Sequence, residues 1–236
     1  MIRLACAVLA MLGCGAARAG GLAVPPHEAV YHATVKMIPV RATVTLEEQG
    51  PDVVLYQARI EPRGWAGFLS KELTESSLLS VDDDGKLQPI SYRKLDAIGG
   101  RNSDIRFDAA DGEMLVKYKD RESRVPWEHT TYDLLSLRLV LSNDLARDRL
   151  ADCYTIVDDK GQVEEVDVRV TGRQPLATPE GELDTVRIEY VERDNDRLYR
   201  LWLAPALDGA LVRLEQFEDG KLRGQLTLVE YRRTGR

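Results

Sequence analysis

The sequence predicts a mainly β protein in which one curved antiparallel sheet forms a barrel or half-barrel around one central helix. Three observations lead to this fold class. Short runs of alternating apolar residues recur about every ten residues, and turn residues separate them. A single leucine-rich run in mid-chain, Asp133 to Leu145, favours helix. No linker rich in Pro, Ser or Gly divides these elements, so we expect one domain.

Residues 1–19 have the features of a secretory signal peptide. Arg3 supplies a positive charge, Leu4 to Leu12 an apolar core, and Ala17-Arg18-Ala19 an A-x-A cleavage site. Cleavage after Ala19 leaves residues 20–236 as a single β-rich domain. The sequence therefore predicts export to the periplasm.

A lipid anchor is the alternative to simple cleavage. Met11-Leu12-Gly13-Cys14 resembles a bacterial lipobox, in which the cysteine after a small residue is acylated. No stretch of the chain has the roughly 20 consecutive apolar residues of a membrane-spanning helix. We therefore expect no transmembrane segment, and a protein that is either soluble or held to the membrane by a lipid on Cys14.

The composition argues against one class of partner. The chain has 32 Lys and Arg against 39 Asp and Glu. Removal of Arg3 and Arg18 with the leader leaves 30 basic residues and a net charge of −9. An acidic exported protein is a poor partner for nucleic acid, and its charges are spread along the chain as solvated strand faces usually are.

Seven strands are predicted before the helix. Asp84-Gly85 and Asp111-Gly112 are typical hairpin turns, and the aspartates at 82–84 are interpreted as part of a turn, because calcium-loop spacing is absent. These strands are Tyr31 to Lys36, Arg41 to Glu48, Val53 to Glu61, Glu72 to Val81, Gln88 to Asp96, Asp104 to Asp108 and Met114 to Tyr118. A charged segment, Lys119 to Arg124, leads on towards the helix.

The segment Pro62 to Leu69 differs from the strands around it, because it is apolar and contains glycines. Its Trp65 and Phe68 are predicted to face a ligand cavity or a partner, since aromatic side chains dominate such sites. The alternative is a loop that folds these two aromatics back over the core.

The run Asp133 to Leu145 is predicted to be helical. It contains six leucines and no Gly or Pro, and Asp133 is a good N-cap. The leucines between 135 and 141 also alternate as in a strand, but the run is longer than a typical strand. Because this helix is apolar, it must be buried, and the inside of the curled sheet is the natural place for it. Arg138 lies among its leucines, where a buried arginine must pair with an acid or bind an anion.

Six further strands are predicted after the helix, again separated by turn residues. They are Asp152 to Val157, Val163 to Thr171, Thr185 to Glu192, Tyr199 to Leu203, Leu211 to Phe217 and Gln225 to Tyr231. Cys153 is the one cysteine outside the leader, and its strand neighbours predict a buried, unreactive thiol.

Several short motifs carry a family resemblance. They are Asp133-Leu134-Leu135-Ser136-Leu137-Arg138, Asp159-Lys160-Gly161, Thr178-Pro179-Glu180-Gly181-Glu182-Leu183-Asp184-Thr185-Val186-Arg187, Trp202-Leu203-Ala204-Pro205 and Leu211-Val212-Arg213-Leu214-Glu215. In this order they resemble an exported proteobacterial family known only as a domain of unknown function. The resemblance implies a periplasmic, mostly antiparallel β-protein of unassigned activity. More loosely, the layout is similar to the LolA, LolB and RseB half-barrels, which shelter acyl chains or lipoproteins; no functional residue is carried over.

Most catalytic chemistry has no motif here. The chain has only three histidines, and it lacks His-Glu-x-x-His, Cys-x-x-Cys, the P-loop and the nucleophile elbow, so neither a metal nor a cofactor is expected. A glycan hydrolase needs only two facing carboxylates, and Glu61, Glu72 and Glu75 are candidates for positions inside the curl.

Three functions are therefore carried forward. The preferred one is a non-catalytic periplasmic carrier of a lipid or other amphipathic ligand, and it rests on fold-level analogy. The alternatives are an envelope assembly factor that binds another protein, and the glycan hydrolase. The predicted ligand-binding residues are Trp65, Phe68, Trp127, Arg138 and Trp202.

Overall fold

The structure, a computed structural model, describes residues 21–35, 37–64, 72–97, 99–127, 131–179, 181–192 and 196–234. These residues form fifteen β-strands and one α-helix, so the predicted fold class is confirmed. The elements are β1 (His27–Val35), β2 (Ile38–Gly50), β3 (Val53–Pro62), β4 (Leu73–Val81), β5 (Leu87–Asp96), β6 (Ser103–Asp108), β7 (Glu113–Tyr118), β8 (Arg121–Pro126), β9 (Thr131–Asp133), α1 (Leu134–Ala146), β10 (Cys153–Val157), β11 (Val163–Thr178), β12 (Gly181–Glu192), β13 (Arg197–Ala204), β14 (Ala210–Glu218) and β15 (Lys221–Arg233).

All fifteen strands belong to one sheet. Their order is β8-β7-β6-β5-β4-β3-β2-β1-β15-β14-β13-β12-β11-β10-β9, so two meanders are joined where β1 pairs with β15. Neighbours are antiparallel except β9 and β10, which are parallel because α1 separates them in the chain. β8 and β9 were not predicted as strands.

The antiparallel meander places alternate turns at opposite ends of the sheet. One end, which we call the helix end, carries the β4–β5 turn at residues 82–86 and the β13–β14 connection at residues 205–209. The other, the far end, carries the β3–β4, β5–β6 and β14–β15 connections.

Helix α1 occupies only the part of the curl nearest the helix end. Asp133 is its N-cap, and the Ser77 hydroxyl donates to Asp133 Oδ1 at 2.8 Å. Because Ser77 is the middle residue of β4, the helix begins about half-way along the sheet. At the other end of the helix, Asn143 Nδ2 donates to the Gly85 carbonyl at 3.0 Å. The predicted helix and its cap are thus confirmed.

The helix is buried on almost every side, as expected for a rod inside a curl. Its fully or nearly buried residues are Leu135, Ser136, Leu137, Leu139, Val140, Leu141, Ser142 and Asn143. The leucines and Val140 among them belong to one hydrophobic core with the inner faces of both meanders. Burial of this apolar surface is the main force that holds the curl around the helix.

Side chains join the two meanders where the curl closes. The Tyr132 hydroxyl in β9 donates to the Leu87 carbonyl in β5 at 3.2 Å. Nearer the far end, Lys94 Nζ contacts Asp159 Oδ2 at 2.9 Å, and the Ser103 hydroxyl donates to the Asp159 carbonyl at 2.7 Å. β9 is an edge strand of the sheet, and no backbone hydrogen bonds pair it with β5. The fold is therefore barrel-like, but the sheet does not close into a barrel between these two strands.

Cys153 is exposed, so the predicted burial of its thiol is wrong. It is the first residue of β10, and inward and outward positions alternate from there, with Tyr154 and Ile156 buried. The apolar neighbours that suggested a buried thiol therefore face the other side of the strand.

Candidate functional site

The inner face of the sheet changes character beyond the start of the helix. In the middle of the strands its residues are buried, and they include Tyr31, Ala58, Leu214 and Leu228. Two residues further along the same strands towards the far end, the inner positions are partly exposed: Ala33, Ile60, Gln216 and Leu226. The curl is therefore dry around α1 and accessible to water beyond the helix N-terminus.

A surface cleft lies beside these partly exposed inner positions. It has a volume of about 540 Å³, lies at the far end of β1 and β2, and includes Ala33 and Val40 in its lining. Ala33 and Val40 form a cross-strand pair on the inner face, so at this point the cleft borders the strands that line the curl. Its remaining lining residues are mostly polar and lie on the outer face or in the following loop.

Arg138 extends into the accessible region. It is in the second turn of α1, and helical side chains point back towards the helix N-terminus, here towards the far end. The side chain is half-buried, although its Nε is fully buried. Burial lowers the pKa of Arg138, but Tyr190 and Glu75 outweigh this effect, so the guanidinium stays charged.

Four inward-facing tyrosines surround this charge: Tyr31, Tyr56, Tyr190 and Tyr199. Burial raises the pKa of Tyr56 to about 12, and the charge of Arg138 opposes that rise. The pKa of each of the other three is also raised by burial and lowered by Arg138. All four hydroxyls are therefore protonated at neutral pH and can donate hydrogen bonds.

Two polar atoms of this cluster lack partners. Arg138 Nε and the Tyr190 hydroxyl are buried and accept or donate no hydrogen bond within 3.5 Å, although the Arg138 guanidinium lies close enough to the Tyr190 hydroxyl to lower its pKa. Tyr190 is only 1% exposed, and its ring stacks on Tyr199 with the centroids 4.8 Å apart. No salt bridge within 4.0 Å joins Arg138 to an acid among the described residues. A buried donor without an acceptor is destabilising, so a bound acceptor group can add stability here. Arg213 Nε on the outer face is in the same condition, but the Arg138 and Tyr190 donors differ from it in lying together.

The charged residues on the neighbouring wall are already paired. Glu75 Oε1 lies 3.7 Å from Lys94 Nζ and accepts a hydrogen bond from the Tyr92 hydroxyl at 3.1 Å. Lys94 also contacts Asp159 at 2.9 Å. Burial lowers the pKa of Lys94, but Glu75 and Asp159 raise it by more. Arg138 differs from Lys94 in having no such direct partner.

A family model covers most of the chain, including every residue of this cluster. Residues 30–227 match the model described as "Protein of unknown function (DUF3108)". The chain belongs to the DUF3108 family. No curated protein matches it.

The DUF3108 chain is also similar to a solved structure. That structure is the crystal structure of a beta-barrel-like protein of domain of unknown function DUF1849 from Brucella abortus. The TM-score is 0.57 with 14% sequence identity, over 89% of this chain and 98% of the other. At this identity the similarity supports the barrel-like fold alone.

The structure does not bring the predicted ligand-binding residues together. The ring of Trp127 packs against that of Phe107 at an angle of 60°, with centroids 5.5 Å apart, in the region of β6 to β8. Trp202 alternates with the inward-facing Tyr199 and Leu201, so it lies on the outer face, where Arg213 covers its ring at 5.8 Å. Trp65 and Phe68 lie outside the described residues. Of the three described residues, only Arg138 lies in the tyrosine cluster.

The carboxylates proposed for a hydrolase do not face one another inside the curl. Glu61 and Glu72 lie 3.5 and 2.7 Å from the exposed Arg59, and Glu75 faces the interior. The described residues contain no group of His, Cys, Asp or Glu that could hold a metal ion. Within the same residues, no helix is long and apolar enough to cross a membrane.

Proposed function

We propose that this DUF3108 protein is a non-catalytic binding protein, exported to the periplasm, that holds an amphipathic ligand inside the far half of its curled sheet. The observation that carries the proposal is the change along the inner face, from buried around α1 to partly exposed beyond it. Residues 1–19 support export, because they have the features of a signal peptide.

The exposed inner wall favours a ligand with an apolar part. Ala33, Ile60 and Leu226 face this region, and small or aliphatic side chains of this kind match an alkyl chain. Removing six methylene groups from water contributes roughly 5 kcal/mol, which is enough for weak binding before any polar contact is made. Arg138 supplies the polar side of the same region.

Ligand binding can be tested with two substitutions to phenylalanine. Ala33→Phe fills the inner face, whereas Glu47→Phe adds the same ring at an exposed position on the outer face of β2, away from the cleft. We expect the first variant to bind a fluorescent fatty-acid probe much more weakly than the unmodified protein does, and the second variant to bind it equally well. Circular dichroism checks that both variants are folded.

Native mass spectrometry of protein from the envelope fraction provides a second measurement. The expected result is a bound acyl species whose occupancy drops in Ala33→Phe. A clean apo mass, together with no probe binding by the unmodified protein, would contradict the carrier proposal. N-terminal sequencing, and labelling with an alkyne fatty acid before and after Cys14→Ala, separate cleavage after Ala19 from lipidation.

A second candidate, contact with another envelope protein, has one observation in its favour. Large apolar side chains are exposed beside turns at the far end: Met37 at 88%, Leu95 at 53% and Leu222 at 50%. Exposed apolar groups near one end are typical of a contact surface. A photo-crosslinking residue at Met37 should then capture a partner in cells, whereas one at the exposed Asp83, at the helix end, should not. Equal labelling at both positions would remove this candidate.

A further inference from the structure

We infer that the polar end of the ligand is an anionic group, a carboxylate or a phosphate, bound by Arg138 and Tyr190. This inference rests on the proposed binding function and adds the chemical class of the ligand. It depends on the two buried polar atoms without partners, Arg138 Nε and the Tyr190 hydroxyl.

The unpaired groups of this cluster are hydrogen-bond donors, so they match a ligand group that accepts hydrogen bonds. A guanidinium has N–H donors and no acceptor, and a protonated tyrosine hydroxyl can donate one hydrogen bond. Tyr190 is 1% exposed, so its hydroxyl is cut off from bulk water, and Arg138 lies beside it. An oxygen atom placed between the two would accept from both. A carboxylate or phosphate has two or more oxygens, spaced so that two of them can accept parallel hydrogen bonds from the guanidinium of an arginine.

The charge of Arg138 favours an anion over a cation or a neutral group. Two acids act on the cluster from further away, and each has a basic partner: Glu75 pairs with Lys94 at 3.7 Å, and the buried Glu192 with Arg197 at 3.7 Å. No acid among the described residues lies within 4.0 Å of Arg138, so an incoming anion would meet a positive charge without a direct partner beside buried tyrosines, where attraction between charges is stronger than in water. A cationic end would be repelled there. An alcohol could accept hydrogen bonds but would leave the charge uncompensated.

The apolar wall places the other end of the molecule. Ala33, Ile60 and Leu226 lie towards the far end from the tyrosine cluster on their strands. An anionic group at Arg138 would leave its alkyl chain directed along this wall, towards the cleft beside Ala33. The ligand would therefore bind with its anion innermost, unlike a surfactant whose charged end stays in water.

The experiment compares four amphiphiles with the same twelve-carbon chain, each titrated by calorimetry below its critical micelle concentration. They are dodecanoate, dodecyl phosphate, dodecanol and dodecyltrimethylammonium. We expect one or both anions to bind about tenfold or more tightly than dodecanol, since a hydrogen bond to a charged group contributes that much. The tighter anion identifies a carboxylate or a phosphate as the natural head group.

Variants assign the preference to the cluster. Arg138→Met keeps an unbranched stem but removes the guanidinium, and it should abolish the preference for anions while binding of dodecanol is retained. Tyr190→Phe should weaken anion binding several-fold. Arg213→Met, which changes an arginine on the outer face beside Trp202, is the matched control and should change nothing. Urea unfolding confirms that each variant is folded.

The outcomes separate the two proposals. Equal affinity for dodecanol and both anions, or an anion preference that survives Arg138→Met, would overturn the head-group inference and leave the carrier function standing. Failure of all four amphiphiles to bind would instead refute the carrier function.

Discussion

The N-cap of α1 allows the sharpest prediction about stability. The carboxylate of Asp133 is buried and accepts four hydrogen bonds. Oδ1 accepts from the Leu135 and Ser136 amides and from the Ser77 hydroxyl, while Oδ2 accepts from the Ser136 hydroxyl. The Ser136 hydroxyl also contacts the Asp133 carbonyl oxygen at 3.0 Å. The group therefore caps the helix and attaches it to β4.

These contacts predict different costs for two substitutions. Asp133→Ala removes the cap, at about 1 kcal/mol, and leaves the Ser77 hydroxyl without an acceptor, at roughly 1–2 kcal/mol. We expect a total loss of about 2–3 kcal/mol, because relief of the buried charge offsets part of the lost hydrogen bonding. In Asp133→Asn the amide oxygen can replace Oδ1. The amide N–H can donate to the Ser136 hydroxyl, which still donates to the Asp133 carbonyl. We expect Asn to cost less than about 1 kcal/mol.

Urea unfolding followed by tryptophan fluorescence measures both changes. Ser77→Ala should cost about 1 kcal/mol, and Ser76→Ala, at the neighbouring position on the other face of β4, is its control and should cost little. If Asn destabilises the protein as much as Ala does, the negative charge and not the hydrogen-bonding pattern stabilises the cap, and the reasoning fails.

Three further predictions use the same unfolding measurement. Burial raises the pKa of Asp133 above its ordinary value of 3.8, so the folded protein holds this proton more tightly than the unfolded chain does. The stability that Asp133 contributes therefore falls as the pH rises from about 4 through the folded-state pKa. The loss of unfolding free energy in Asp133→Asn should then be larger at pH 4 than at pH 7. A loss that increases with pH would contradict the predicted direction. Leu137→Ala, at a fully buried helix position, should cost about 2–5 kcal/mol, and a loss below 1 kcal/mol would mean that the helix is not packed inside the curl. Gly209 and Gly220 both have positive φ, +76° and +68°, but a Cβ at Gly209 would lie 3.1 Å from the Ser142 carbonyl oxygen, whereas one at Gly220 meets nothing. Alanine at Gly220 should cost about 1–2 kcal/mol for backbone strain, and alanine at Gly209 should cost clearly more; equal costs would argue against the close approach.

The sequence predicts most of the fold because its local signals agree. The predicted strands all exist, and the helix begins after Asp133 as its capping preference indicated. The two missed strands have weak signals. Arg121–Pro126 carries charges at successive positions and is exposed on both faces, so it lacks alternation. Thr131–Asp133 is only three residues long and is defined by its partner β10.

The candidate site was only partly predictable. Arg138 stood out because a charge among leucines is unusual, and the structure places it beside buried tyrosines. Those tyrosines could not be found in the same way, because Tyr31 and Tyr56 come from the first meander and the paired Tyr190 and Tyr199 from the second, far away in the chain. Alternation also fails in β13, where Tyr199 and Trp202 are both buried on opposite faces. Alternation along a strand assigns its residues to two faces of the sheet, but it does not tell which face lies inside the curl.

The position of the N-cap links the stability of the helix to the proposed site. Because the Ser77–Asp133 hydrogen bond fixes the helix start half-way along β4, only side chains near that start can reach beyond the buried core. Arg138 is close enough to do so. An arginine two turns later, at the position of Leu145, would lie close to the helix end, away from Tyr190 and Tyr199. The sequence therefore needs both the aspartate and the arginine at this spacing to put one positive charge at the boundary between the dry and accessible parts of the curl.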